Sequence, residues 1–236
     1  MAVYNRDNGA SYVKKAVFAL LLMSFACTGD RASTDQARDA TTDSATVPVE
    51  HAGTTQPSPR PPETKVDTVM IEGTPQETVL RLVESPAGFE PAFYTYVPED
   101  MTSDQVSSDE GTAWRFNARF GGVENPEAFL LVFFYPENTS EEIARERIAA
   151  MMANRRRVQR DAGEAKRYAW SIEEFSYRGT SQSGQPIVGF IALGRRNGRL
   201  FHVMIEYPAE YGDGFGPRAH RILSEWRWAD GSALAS

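Results

Sequence analysis

Apolar and polar residues change places with regular periods from residue 68 onward. Residues 112–120, TAWRFNARF, alternate: Trp114, Phe116, Ala118 and Phe120 share one face, and Arg115, Asn117 and Arg119 the other. Successive strand side chains point to opposite faces, so the stretch predicts a half-buried strand. Residues 128–135, AFLLVFFY, are apolar at every position, which predicts a central strand covered on both sides. In LFHVMIEYP, 200–208, Phe201, Val203, Ile205 and Tyr207 fall on one face, and Leu200, His202, Met204 and Glu206 on the other. TVMIEG and ETVLRLVES, around GTPQ, predict a hairpin, and AFYTYVP a strand ended by Pro98. YAWSIEEFSYR leads through GTSQSGQ into PIVGFIALG, and Asn197-Gly198 marks a type I′ turn into the strand at 200–208.

Two segments have the helical period. Thr139 is a capping residue with Glu142 three positions on, and Ala144, Ile148, Met151 and Val158 form a stripe that predicts a helix to about Arg160. Ala219, Ile222, Leu223 and Trp226 repeat at helical spacing, with Pro217 suited to a first turn. The order of strands, helix, strands, helix predicts an α+β domain over 68–228, an antiparallel β-sheet layered with helices. Residues 229–236 read as a frayed tail.

The N-terminal part has another character. In 28–67, 21 of 40 residues are Ser, Thr, Ala or Pro and none is aromatic, so the segment cannot bury enough apolar surface to offset its ordering entropy. It is expected as a disordered tether, about 35 Å in r.m.s. span if flexible. Before it, Lys14 and Lys15 precede the apolar run AVFALLLMSFA, 16–26, and then Cys27, the single cysteine of the chain. A basic flank, a short apolar core and small residues before a cleavage point form an export signal over 1–26. The run is shorter than the roughly 18–20 residues that span a bilayer. Removing 1–26 takes Arg6, Lys14 and Lys15 but only Asp7 from a chain of net charge −7, leaving −9. An acidic exported chain is not a nucleic-acid binder.

The segment ending in Ala26-Cys27 resembles a bacterial lipoprotein signal, which implies lipid attachment at Cys27. Ser24 and Phe25 depart from the preferred residues of that pattern. Ordinary cleavage after Ala26 and a retained N-terminal anchor therefore stay open. An exported, unpaired thiol is a liability, which favours lipidation.

Candidate chemistry is sparse. His51 lies in the tether, His202 on a strand, and His220 beside the stripe of the last helix; no HExxH or paired CxxC accompanies them. GTSQS, 179–183, has Ser183 where a nucleophile elbow needs its last glycine, and a hairpin loop where the elbow needs a strand-to-helix turn. Glu99, Asp100, Asp104, Asp109 and Glu110 read as a solvated acidic loop whose spacing does not fit a calcium loop. Arg155, Arg156, Arg157, Arg160, Lys166 and Arg167 read as a solvated helix end, with recognition of an acidic partner or lipid headgroup as the alternative. The four tryptophans are expected in or beside the core, Trp228 at its edge. No catalytic, cofactor-binding or metal residue is assigned.

FYTYVPEDM, then FLLVFFYP before TSEEIARERI, the hairpin GFIALGRRNGRLFHVMIEYP and the closing GPRAHRILSEWRW together resemble the PsbP-like superfamily, which includes the DcrB-like bacterial lipoproteins and the Mog proteins. The likeness covers roughly residues 90–228 and lies in element order. It implies an α/β/α sandwich and an accessory or binding role rather than catalysis. The expectation is an exported cell-envelope protein, lipid-anchored through Cys27, whose domain faces the periplasm or exterior, binds an unknown protein partner and takes no cofactor. An envelope hydrolase using carboxylates or His202, and a small-ligand carrier with a deep apolar cavity, are the alternatives.

Overall fold

The structure is a computed structural model, and it describes residues 60–153, 156–159, 166–181 and 183–234, the segment 156–159 by its backbone. The signal, Cys27, His51 and the tether up to residue 59 lie outside the described residues. The strands are β1 (Thr64–Ile71), β2 (Thr74–Glu84), β3 (Phe93–Pro98), β4 (Met101–Ser108), β5 (Gly111–Ala118) and β6 (Asn125–Phe134). Helix α1 (Glu141–Ala153) follows, then β7 (Arg156–Gln159), β8 (Ser171–Thr180), β9 (Pro186–Arg196) and β10 (Arg199–Pro208). Helix α2 (Gly212–Glu225) and the short β11 (Arg227–Trp228) close the chain.

The result is a mixed α+β fold with two antiparallel sheets. One has four strands in the order β1-β2-β3-β11; the other has seven, β4-β5-β6-β10-β9-β8-β7. Neighbours in sequence form the hairpins, and the join between β6 and β10 is the long-range pairing that closes the large sheet. Its faces are the two faces of the sequence pattern. Phe116, Leu130, Val132, Phe134, Val203 and Ile205 pack with Phe215, Ala219, Ile222 and Leu223 of α2 and with Phe93 and Val97 of β3. Phe129, Ile191, Leu193, Leu200 and Met204 point the other way, onto Ala144, Ile148 and Met152 of α1. Asn197 and Gly198 both have positive φ, 48° and 81°, as a type I′ turn requires.

Several boundaries differ from expectation. The first hairpin turns at Glu72-Gly73, φ 52° and 74°, so of GTPQ only Gly73 belongs to the turn and Thr74 already opens β2. Strand β1 starts at Thr64, inside the stretch expected as tether, because its polar residues find tertiary partners. Lys65 pairs with Glu225 at 2.7 Å, and Asp67 with Arg221. Helix α1 is capped by Ser140, whose hydroxyl accepts the Ile143 amide at 3.3 Å, and it ends at Ala153. The chain then forms the edge strand β7 on β8, so Val158 does not extend the helical stripe. The acidic stretch is an edge strand, β4, paired with β5 from Met101↔Ala118 to Ser108↔Gly111. Helix α2 begins at Gly212, which puts Pro217 inside it; burial of Phe215 in the first turns offsets a Gly- and Pro-rich start of poor propensity. Finally, 229–234 is folded, not frayed: the Leu234 amide donates to the Trp226 carbonyl at 3.1 Å, and its side chain is 3% exposed. That turn covers Trp228, which is buried.

Candidate functional site

Cross-strand partners share a face of a sheet. On the α2 side, Ser176 of β8 lies opposite Phe190 of β9, which lies opposite Ile205 of β10. The next row is Arg178, Val188 and Tyr207. These two rows floor a groove of about 570 Å³ walled by Gly216 and His220, one turn apart on α2. The volume lies in the usual range for small-molecule sites. The far rim is Arg167-Tyr168, held by Glu174. One Glu174 carboxylate oxygen accepts the Arg167 amide at 2.9 Å; the other accepts the Tyr168 amide at 2.9 Å and the Ser171 hydroxyl at 2.8 Å. This fixes the Arg167 guanidinium 4.4 Å above the Phe190 ring, a cation–π contact. Tyr168 meets Phe190 edge-on at 5.7 Å, and burial holds its phenol above the ordinary tyrosine range.

The cations of this groove are uncommitted. Among the arginines whose side chains are described, every one donates a hydrogen bond to a carboxylate, amide or carbonyl oxygen except two, Arg167 and Arg178. Both line the groove, and among the described residues no lining residue is acidic. In a chain of net charge −7 this is a local inversion of sign.

A second cavity, of about 750 Å³, opens on the α1 side of the same sheet. Its polar groups are engaged with the protein. Arg115 lies 3.9 Å over the Phe129 ring and donates to Asn117 at 2.8 Å and to the Pro126 carbonyl at 2.5 Å. Glu206 accepts the Tyr177 hydroxyl at 2.6 Å, and Glu127 accepts the Ser183 hydroxyl at 2.7 Å. The Tyr177 ring passes directly over Gly189, where a Cβ would fall 1.9 Å from its Cζ.

The residues singled out in the sequence are scattered by the fold. His202 is buried on the α1 side, 6% exposed, stacked on Phe133, with Nδ1 3.0 Å from the Tyr135 hydroxyl. Its Nε2 has no partner, and burial pushes its pKa down to about 4. It lines neither cavity and meets no carboxylate. Burial also raises the Tyr135 phenol far above its usual range, so both partners are neutral at ordinary pH. Ser181 and Ser183 sit in the β8–β9 loop, hydroxyls 2.8 Å apart, without a helix behind them. Asp100 pairs with Arg218 at 2.6 Å, and Asp104 lies on the exposed edge strand β4. No group of three His, Cys, Asp or Glu side chains converges among the described residues. Lys166 donates to the Ser171 and Ile172 carbonyls, whereas Arg167 reaches the groove. Arg155, Arg160 and the side chains of Arg156 and Arg157 lie outside the described residues; of the two side chains of the basic stretch that are described, one is brought to the site and one is spent on the backbone. Arg178, Phe190, Tyr207 and Gly216 were not singled out in the sequence; the alternation of β8 with Arg178 on the face of Ser176 was the one available signal.

Compared with known proteins, the chain matches no family model and no curated protein.

Proposed function

We propose that the chain is an exported cell-envelope protein, held to a membrane by lipid on Cys27, whose folded domain is a non-catalytic binding or accessory module of PsbP-like type. The export signal, the tether composition and the position of Cys27 support the anchored location. The layering of a large antiparallel sheet between α1 on one side and α2 on the other is compatible with the PsbP-like resemblance. The observation that carries the binding role is the groove: two arginines with no side-chain hydrogen bond among the described residues flank an aromatic and aliphatic floor. Cations held in place without a partner are suited to receive one. A cleft joining His202 to carboxylates would favour the hydrolase alternative, and His202 lies buried against Tyr135 and Phe133 instead.

Two measurements test the reading. Intact-mass analysis of the mature N-terminus is expected to show an acylated Cys27 in the wild type and none in Cys27→Ser. A free N-terminal Cys27 would defeat the anchor. Mild in-cell crosslinking followed by purification is expected to recover a reproducible partner, and a domain that repeatedly recovers none would count against an accessory role.

A further inference from the structure

The groove has a chemistry more specific than "binding". We propose that it is a site for a small organic anion: a phosphate monoester or carboxylate carrying a flat apolar body. The proposal rests on the reading of the domain as a binding module and names what it takes.

The anionic head follows from the arginines. Arg167 and Arg178 line the same space, and among the described residues no carboxylate lines it with them and neither guanidinium donates a hydrogen bond. The nearby carboxylate, Glu174, accepts the Arg167 and Tyr168 amides and the Ser171 hydroxyl and forms no ion pair with either guanidinium. A guanidinium presents donors in a planar fork that matches phosphate and carboxylate oxygens. His220, exposed on the wall, adds a third nitrogen group to the rim.

The apolar body follows from the floor. A bare phosphate would fill a small part of about 570 Å³. Phe190, Val188, Ile205 and Tyr207 lie side by side in two rows of one sheet face; Phe190 and Ile205 are buried, and the half-buried Val188 and Tyr207 offer the apolar surface that a flat ring can meet. Arg167 already stacks on Phe190, so a ring laid beside it extends an existing stack.

Gly216 sets the room. It is a helical residue followed by Pro217, and apart from its chain neighbours and the helix's own backbone no heavy atom lies within 4 Å of the position its Cβ would take. The wall is open there because α2 carries no side chain. Gly216→Leu projects into the groove; in it and in Gly216→Ala the new Cβ meets the ring of Pro217, which disfavours a helical conformation for the residue before it, so the two variants share that cost and differ in the side chain sent into the groove.

The test uses 1-naphthyl phosphate as probe, with 1-naphthol, inorganic phosphate and phosphatidylglycerol vesicles as separate arms, on the Cys27→Ser chain followed by amide NMR. The expected result is saturable binding of 1-naphthyl phosphate with shifts at Gly189, Phe190 and Gly216, and much weaker binding of naphthol or phosphate alone. Arg167→Ala and Arg178→Ala are each expected to weaken it roughly tenfold or more, as loss of a charge-assisted hydrogen bond does. Gly216→Leu is expected to abolish it and Gly216→Ala to keep it, the two variants melting at the same temperature because both place a Cβ before Pro217, which separates occlusion from misfolding. Shifts confined to the cavity at Arg115 and Glu206, or equal affinity in the Arg167→Ala/Arg178→Ala chain, would overturn the assignment. Arginine-dependent binding to vesicles without binding of 1-naphthyl phosphate would overturn it too, in favour of a lipid headgroup. If the crosslinked partner persists in the double variant while the probe fails to bind wild type, the ligand class falls and the accessory role stands. If the probe binds and no partner is recovered, the accessory role falls and the ligand site stands.

Discussion

Replacing His202 by Gln isolates one buried titration. The imidazole is sealed under α1, with Nε2 unpartnered, and its pKa of about 4 lies below the ordinary 6.5 because burial penalises the cation. The unfolded chain takes up a proton between pH 6.5 and 4 that the fold refuses. Stability from this group is therefore intact above pH 6.5, declines as pH falls below it, and levels off beneath about pH 4. The gap between 6.5 and about 4 corresponds to about 3 kcal/mol. Gln cannot titrate but can still hydrogen-bond the Tyr135 hydroxyl. Urea unfolding of the wild-type and His202→Gln proteins, both on a Cys27→Ser background, at pH 7.5, 6.5, 5.5 and 4.5 reads the difference, in which the shared carboxylates cancel. At pH 7.5 the variant is expected to be the less stable, through poorer packing on Phe133. That gap is expected to narrow steadily below pH 6.5, by over 2 kcal/mol at pH 4.5. A difference that stays constant across the series would refute the buried neutral imidazole.

Gly189→Ala is expected to destabilise the domain by about 1–3 kcal/mol, as overpacking does, because its Cβ displaces the Tyr177 ring and its hydrogen bond to Glu206; an unchanged urea midpoint would contradict it. Leu234→Ala is expected to cost about 2–5 kcal/mol by the usual burial and cavity cost, read as a lowered melting temperature, since Leu234 is 3% exposed in the returning tail. Removal of the tail with no effect would restore the frayed reading. Burial pushes the Glu225 carboxyl up, but hydrogen bonds from Lys65 and Arg221 outweigh it and hold it below the usual range. Its stabilisation is therefore present above the ordinary pKa of 4.5 and lost as pH falls through the lower folded value. Glu225→Gln is expected to cost about 1 kcal/mol at pH 7 and to become nearly neutral in strong acid; a cost that persists there points to packing instead.

Elements whose signal is local were legible in the sequence. The alternation of β5, the doubly apolar β6, the Asn197-Gly198 turn and the stripe of α2 each state their structure within about ten residues. Elements defined by a distant partner were not. Strand β4 is polar on both faces and exists because β5 offers it an edge. Strand β7 begins in RRRVQ, residues with ordinary helix propensity, and becomes a strand because β8 is otherwise unpaired on that side. The tail folds because Trp228 needs covering, a requirement written in β3 and β11 rather than in residues 229–234.

The groove was invisible for a related reason, and sheet width explains where it lies. Seven strands at about 4.8 Å spacing make a face about 29 Å across, whereas one helix with its side chains is about 10–12 Å wide. Helix α2 alone cannot cover that face. Phe93 of the small sheet takes the β5–β6 flank, stacking on Phe134 and meeting Trp114 edge-on at 4.8 Å. Among the described residues, Arg167 and Tyr168 reach the β8–β9 flank and bury Phe190, and Val188 in the next row stays half-exposed between the helix wall and open space. A single strand pattern reads Arg178 as an ordinary outward charge, because the pattern says which face a residue takes but not how far the covering layer extends. The uncommitted arginines therefore belong to the geometry of a wide sheet under a narrow helix. Gly216, contributing no side chain at the margin of that helix, keeps the uncovered strip accessible.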